Sequence, residues 1–158
     1  MGNEPEVPGG NARSHRVRLG VIGAGSFVSR RHLPDVQRST NLTLAALCRR
    51  DEAARNRMAE HFDVAPQNAF ADWRHMLDEA PLDAVLIATP NSLHFEQAQA
   101  ALTKGLHVLL EKPMTLRSEH ARELVLLARE KGLRLGVALN PPYWAHCHRA
   151  RRALAEEG

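Results

Sequence analysis

Short runs of consecutive apolar residues, at 17–22, 42–48, 84–88, 107–110 and 135–139, alternate along this chain with longer segments whose apolar residues recur at helical spacing. This alternation constrains the fold more than any other property of the sequence. A strand that is apolar at every position needs cover on both faces, and parallel strands need a crossover to return the chain to the same end of the sheet. Because such crossovers are right-handed, the pieces assemble into a doubly wound parallel α/β sheet with its ligand crevice at the C-terminal ends of the strands. Phe70 marks a sixth, very short strand. Asp51 can cap a helix carrying Ala54, Met58 and Phe62, and Asp72 can cap a short one through Leu77. Helices are predicted over 91–104 and 118–131, each stopped by a glycine, Gly105 and Gly132. The second places Ala121, Leu124, Val125 and Ala128 on one stripe.

A chain of 158 residues, 44% hydrophobic and 25% charged, fits one folded soluble domain. Residues 1–16 hold two prolines, three glycines and two asparagines with almost no apolar residue, so we expect a disordered leader followed by one domain over 17–158. No apolar run reaches the roughly 18 to 20 residues of a membrane helix, and the N-terminus lacks the apolar stretch of a secretion signal, so the expected address is the cytoplasm without membrane contact. Lys plus Arg number 21 against 18 Asp plus Glu, and aromatics reach only 4%, which argues against a nucleic-acid partner. Cys48 and Cys147 lie far apart and fit a reduced pair. His146, Cys147 and His148 are adjacent, and if 143–156 is helical they point about 100° apart, so no metal site is expected. On that helix Tyr143, Cys147, Ala150 and Leu154 form a stripe read as a packing face.

The first apolar run leads directly into Gly23-Ala24-Gly25-Ser26-Phe27-Val28, the first two glycines of G-x-G-x-x-G in the strand-to-helix setting the motif requires. The first glycine permits a tight turn, the second lets the backbone approach a pyrophosphate, and the next helix offers free N–H groups to that anion. Val28 stands where a third small residue normally allows close helix–strand packing. At the end of the second strand, where an acidic side chain would bind a ribose 2′-hydroxyl, stand Arg49 and Arg50. They are fork-shaped cations suited to a 2′-phosphate, so NADP is favoured over NAD unless both are simply solvated surface arginines. Two further segments sit at strand ends: Thr89-Pro90-Asn91-Ser92-Leu93-His94 and Glu111-Lys112-Pro113.

With the glycine turn, the T-P-N-x-x-H and E-K-P segments resemble the N-terminal domain of the Gfo/Idh/MocA oxidoreductases, over residues 16–158 and in the family's order. The resemblance implies a Rossmann domain binding a nicotinamide dinucleotide. Gly23 and Gly25, with the backbone of Ala24, Ser26 and Phe27, would cradle the pyrophosphate, and Thr89, Pro90 and Asn91 would line the dinucleotide. Glu111, Lys112 and Pro113 match the family signature, in which a cis peptide often precedes the proline and the lysine reaches the substrate. Lys112 and His94 are the candidate catalytic residues, His94 lying near the nicotinamide end. Chemically, Lys112 would bind the reacting hydroxyl and assist its proton loss if burial lowered the amine's affinity for protons. The alternatives are a Lys112–Glu111 salt bridge, and an Asn91 cap that leaves His94 on a first helical turn.

Family members carry a second, α+β domain that completes the substrate pocket, and no motif for its partners occurs here. The expectation is therefore the NAD(P)-binding half of an oxidoreductase acting on a sugar or polyol hydroxyl, incomplete for catalysis alone. The alternative is a non-catalytic dinucleotide-binding module. Apolar surface left without its cover would favour a homo-oligomer.

Overall fold

The computed structural model describes residues 16–139 and 145–157. Strands β1 (Val17–Ile22), β2 (Leu42–Cys48), β3 (Ala69–Phe70), β4 (Ala84–Ile87), β5 (His107–Leu110) and β6 (Leu135–Val137) form one parallel sheet in the order β3-β2-β1-β4-β5-β6. Helices α1 (Ser26–Arg38), α2 (Glu52–His61), α3 (Trp73–Glu79), α4 (His94–Thr103) and α5 (Ser118–Glu130) make the crossovers, and α6 (Ala145–Glu157) follows. The order reverses between β1 and β4, which is the switch point at which doubly wound sheets bind their ligands.

Successive side chains of a strand point to opposite faces, and the apolar runs fill both. Leu19, Val21, Leu47 and Leu86 meet Val28, Leu33 and Val36 of α1 and Ala59 of α2. Ile22, Val85, Ile87, Val108 and Leu110 meet Met76 and Leu77 of α3, Ala98 and Leu102 of α4 and Leu124 of α5. Leu109 of β5, on the α1–α2 side, has no place in that cluster of the described residues and stays 40% exposed. The Asp83 carboxylate, just before β4, accepts from the Arg18 backbone N–H and guanidinium at 2.7 to 3.0 Å and so ties β1 to β4.

Asp51 caps α2 by accepting the Ala54 N–H at 2.7 Å, and Asp72 caps α3 through the Arg74 N–H at 2.7 Å. Helices α3, α4 and α5 end within two residues of expectation, and differences also fall at two strand ends and one helix start. The strand expected over 84–88 ends at Ile87, and that over 135–139 ends at Val137. The helix expected from residue 91 opens as a 3₁₀ turn over Asn91–Leu93, after Pro90 in extended conformation, and becomes α-helical at His94. Of the stripe on α6, Cys147 is half-buried, while Ala150 and Leu154 are exposed; Tyr143 lies outside the described residues, as do residues 1–15 of the expected leader. Among the described residues no helix is long and apolar enough to cross a membrane.

Candidate dinucleotide-binding crevice

Gly23 turns the chain out of β1 at φ +88°, where a Cβ would stand 2.7 Å from the Ala88 carbonyl oxygen and 2.8 Å from Thr89 Cγ2. Only glycine meets both the dihedral and the approach. The Cys48 carbonyl accepts from the N–H groups of Gly23 (3.2 Å) and Ala24 (3.1 Å), locking the turn to the end of β2. Gly25 precedes α1 with φ −92°, and no side chain caps that helix. The ladder of α1 opens with the Ser29 N–H on the Gly25 carbonyl, which leaves the amides of Ser26, Phe27 and Val28 at an uncapped, partially positive end. A Cβ on Gly25 would meet only the Gly23 carbonyl, at 3.8 Å. The two glycines thus differ: the first is held by protein, the second faces open space.

That space is a cleft of about 350 Å³ between the ends of β1, β2 and β4. It gathers seven of the sequence-derived candidates: Gly23, Ala24, Gly25, Arg49, Arg50, Thr89 and Pro90. Trp73, Leu93 and Gln97 also line it and were missed by sequence reasoning; Trp73 follows the Asp72 cap after β3, the signal that would have found it. Ser26, Phe27, Asn91, His94, Glu111, Lys112 and Pro113 are not part of its wall. A larger groove, about 1010 Å³, lies on the outer surface of α3, α4 and α5, where Arg74–Glu96 and Lys104–Asp78 ion pairs cross it.

Arg49 lies half-buried with Nη1 donating to the Ala24 carbonyl at 2.9 Å, so its guanidinium rests on the glycine loop, while Arg50 is exposed. Arg55 donates through Nη1 to the Arg49 and Arg50 carbonyls, at 3.1 and 3.3 Å. Beneath them Cys48 is buried; burial first, and the Asp72 charge second, push its thiol up to about 11 against the opposing pull of Arg55 and Arg50.

On the β4–β5 side, the Thr89 hydroxyl donates to Gln97 Oε1 at 2.6 Å. His94 is fully buried, with Nδ1 2.8 Å from the Pro113 carbonyl and Nε2 3.0 Å from the Thr89 carbonyl. Each tautomer donates to one of these oxygens, so the ring bridges the two strand-end segments and turns no free nitrogen toward the cleft. Asn91 is exposed, and no side-chain cap is found at the start of the 3₁₀ turn or of α4. The Lys112–Pro113 peptide is cis. Glu111 does not pair with the Lys112 ammonium: Oε1 lies 2.7 Å from His32 Nε2 on α1, and Oε2 accepts the Lys112 backbone N–H at 3.1 Å. Lys112 is exposed, so the described residues do not supply the burial that proton transfer to its amine would need.

Residues 17–139 match the family described as oxidoreductases with an NAD-binding Rossmann fold, the Gfo/Idh/MocA family. The chain belongs to that family. Relatives include a dTDP-3,4-didehydro-2,6-dideoxy-α-D-glucose 3-reductase from Streptomyces antibioticus, 36% identical over 76% of this chain and 36% of that protein. Another is a D-xylose 1-dehydrogenase (NADP(+)) from Haloferax volcanii, 30% identical over 88% of this chain and 42% of that protein. Apo scyllo-inositol dehydrogenase from Lactobacillus casei shares the fold at a TM-score of 0.82 and 21% identity, over 90% of this chain and 42% of that one. A 3-ketoreductase from Actinomadura kijaniata, solved with NADP, superposes at a TM-score of 0.78 with 31% identity, over 91% of this chain and 45% of that one. The chain spans less than half the length of each. The parallel six-stranded sheet in Rossmann order is the architecture expected from the alternating apolar runs.

Proposed function

We propose that this chain is the cofactor-binding part of a Gfo/Idh/MocA oxidoreductase acting on a hydroxyl of a sugar or polyol, with NADP preferred to NAD. One observation carries the reading: Gly25, which opens the uncapped α1, borders an open cleft rimmed by Arg49 and Arg50. The residues fit a dinucleotide, because backbone amides meet a diphosphate there without competing side chains. Gly23, Ala24 and Gly25 hold the diphosphate with the amides of Ser26 and Phe27. Arg49 and Arg50 serve the 2′-phosphate on the β2 side. Thr89, Pro90 and Asn91 border the nicotinamide half, and Glu111, Lys112 and Pro113 lie beyond them at the end of β5. The NADP(+)-dependent D-xylose dehydrogenase among the relatives supports both the cofactor and the substrate class.

The nicotinamide, when bound, supplies the carbon that accepts or returns hydride. Lys112 Nζ hydrogen-bonds and orients the reacting hydroxyl oxygen. His94 is assigned a positioning part rather than contact with substrate: it ties Thr89 to Pro113. Leu109, Leu116 and Leu139 are exposed and favour association, with another copy or with a further domain. A cytoplasmic protein without nucleic-acid or membrane partners fits this reading.

The second reading is a dinucleotide-binding module without turnover, favoured by the exposure of Lys112. Titration of the chain with NADPH and NADH by fluorescence, followed by polyol oxidation with and without a supplied second domain, separates the two. Binding without turnover by the chain supports the module, turnover by the isolated chain defeats it, and absence of binding to either nucleotide defeats both.

A further inference from the structure

We propose that His32, acting through Glu111, is a positioning residue for the nicotinamide side of the crevice. The inference rests on the dinucleotide reading above and adds a residue that none of its motifs contains. His32 lies on α1, the helix whose first turn borders the glycine loop. Its Nε2 stands 2.7 Å from Glu111 Oε1, with side-chain exposures of 20% and 14%. Glu111 is itself pinned to the sheet, its N–H donating to the Ile87 carbonyl at 2.9 Å. Its second carboxylate oxygen takes the Lys112 N–H at 3.1 Å. The Phe27 ring packs edge-on against the imidazole, centroids 5.5 Å apart.

One carboxylate therefore joins α1 to the segment after β5. In a sheet of this order the strand ends on the β1–β2 side take the adenosine half, and those beyond the switch point take the nicotinamide half. The helix that meets the diphosphate at its N-terminus thus also fixes, one turn further along, the backbone that carries Lys112. An exposed ion pair would contribute little to such positioning. This pair is largely shielded from water, and its acceptor is spoken for on both oxygens, so the loss of one partner releases the segment from α1.

The test compares two ligands on the intact chain: NADPH, and 2′-phospho-ADP-ribose, which lacks the nicotinamide ring. Removing the imidazole in His32→Ala is expected to weaken NADPH about tenfold, the cost of one charge-assisted hydrogen bond, and to leave 2′-phospho-ADP-ribose within about twofold. The emission of bound NADPH should shift toward that of free nucleotide. His32→Gln, whose amide N–H can still donate to the carboxylate, should restore most of both. An equal loss for the two ligands, or no loss, overturns the proposal while leaving the dinucleotide reading intact. Failure of the unsubstituted chain to bind either ligand removes that reading instead, and this inference with it. Should the alanine variant not fold, Glu111→Gln decides: it keeps an acceptor for the Lys112 N–H but gives His32 a neutral partner, and an unchanged ratio of the two affinities overturns the proposal.

Discussion

Alanine at Gly23 and alanine at Gly25 should fail in opposite ways, although both substitutions alter one short motif. At Gly23 the added methyl meets backbone on the β4 side at 2.7 Å, closer than Cβ atoms approach such groups in folded proteins, and the dihedral of +88° adds strain. The left-handed conformation alone costs about 1–2 kcal/mol for an L-residue, and displacing the turn from Ala88 raises the total to about 2–4 kcal/mol. For a domain of this size each kcal/mol lowers Tm by about 3 °C, so Gly23→Ala should melt about 6–12 °C early. At Gly25 the dihedral is ordinary and the nearest atom is 3.8 Å away, so Gly25→Ala should keep its stability within about 0.5 kcal/mol. Its methyl instead occupies the space proposed for the diphosphate and should weaken NADPH at least about tenfold. Urea unfolding, with the slope checked for constancy, reads the first effect, and fluorescence titration reads the second. Equal destabilisation by the two variants, or a Gly25→Ala chain that binds NADPH as the parent does, would refute the division of labour between the glycines.

Arg49→Asp removes the guanidinium at the rim and should lower NADPH affinity about ten- to a hundredfold while NADH gains; an unchanged ratio by competitive titration retires the 2′-phosphate assignment. Val28→Gly completes the G-x-G-x-x-G pattern but empties a fully buried site on α1, so it should destabilise by about 2–4 kcal/mol, and a gain in urea midpoint would contradict the packing. Burial raises the Cys48 thiol from 9.0 to about 11, so the folded chain keeps its proton after the unfolded chain has released it. The stabilisation is therefore complete below pH 9.0, is lost as pH rises through about 11, and amounts to about 2 kcal/mol. Cys48→Ala should flatten that alkaline slope in urea melts at about pH 8 and about pH 10, and parallel slopes would count against it.

The strands were legible because burial on both faces leaves runs of apolar residues that no helix needs, and the caps at Asp51 and Asp72 were legible because capping is local. The start of α4 was not. Pro90 in extended conformation diverts the chain into a 3₁₀ turn before helical bonding begins at His94, and the apolar period gives no sign of this. Half of the candidate site could be read from residue type beside a strand end, as with Gly23, Arg49 and Thr89. The rest depends on contacts between residues far apart in sequence. His32 and Glu111 are separated by 79 positions, and neither lies within a phosphate-binding pattern. Likewise the bridge from His94 to the Pro113 carbonyl forms only when the ends of β4 and β5 stand side by side. Val28 shows the reverse: a departure from the motif becomes ordinary once its side chain is seen packed beneath α1.

Because the chain leaves β1 toward β2 and leaves β4 toward β5, the crevice is kept open by backbone routing. Arg50, Asn91 and Lys112 stand at its rim or beyond it, exposed, with no share in either hydrophobic core. Side chains at such positions can therefore be exchanged without first repairing the scaffold, which allows one architecture to persist beneath a rim of changing chemistry.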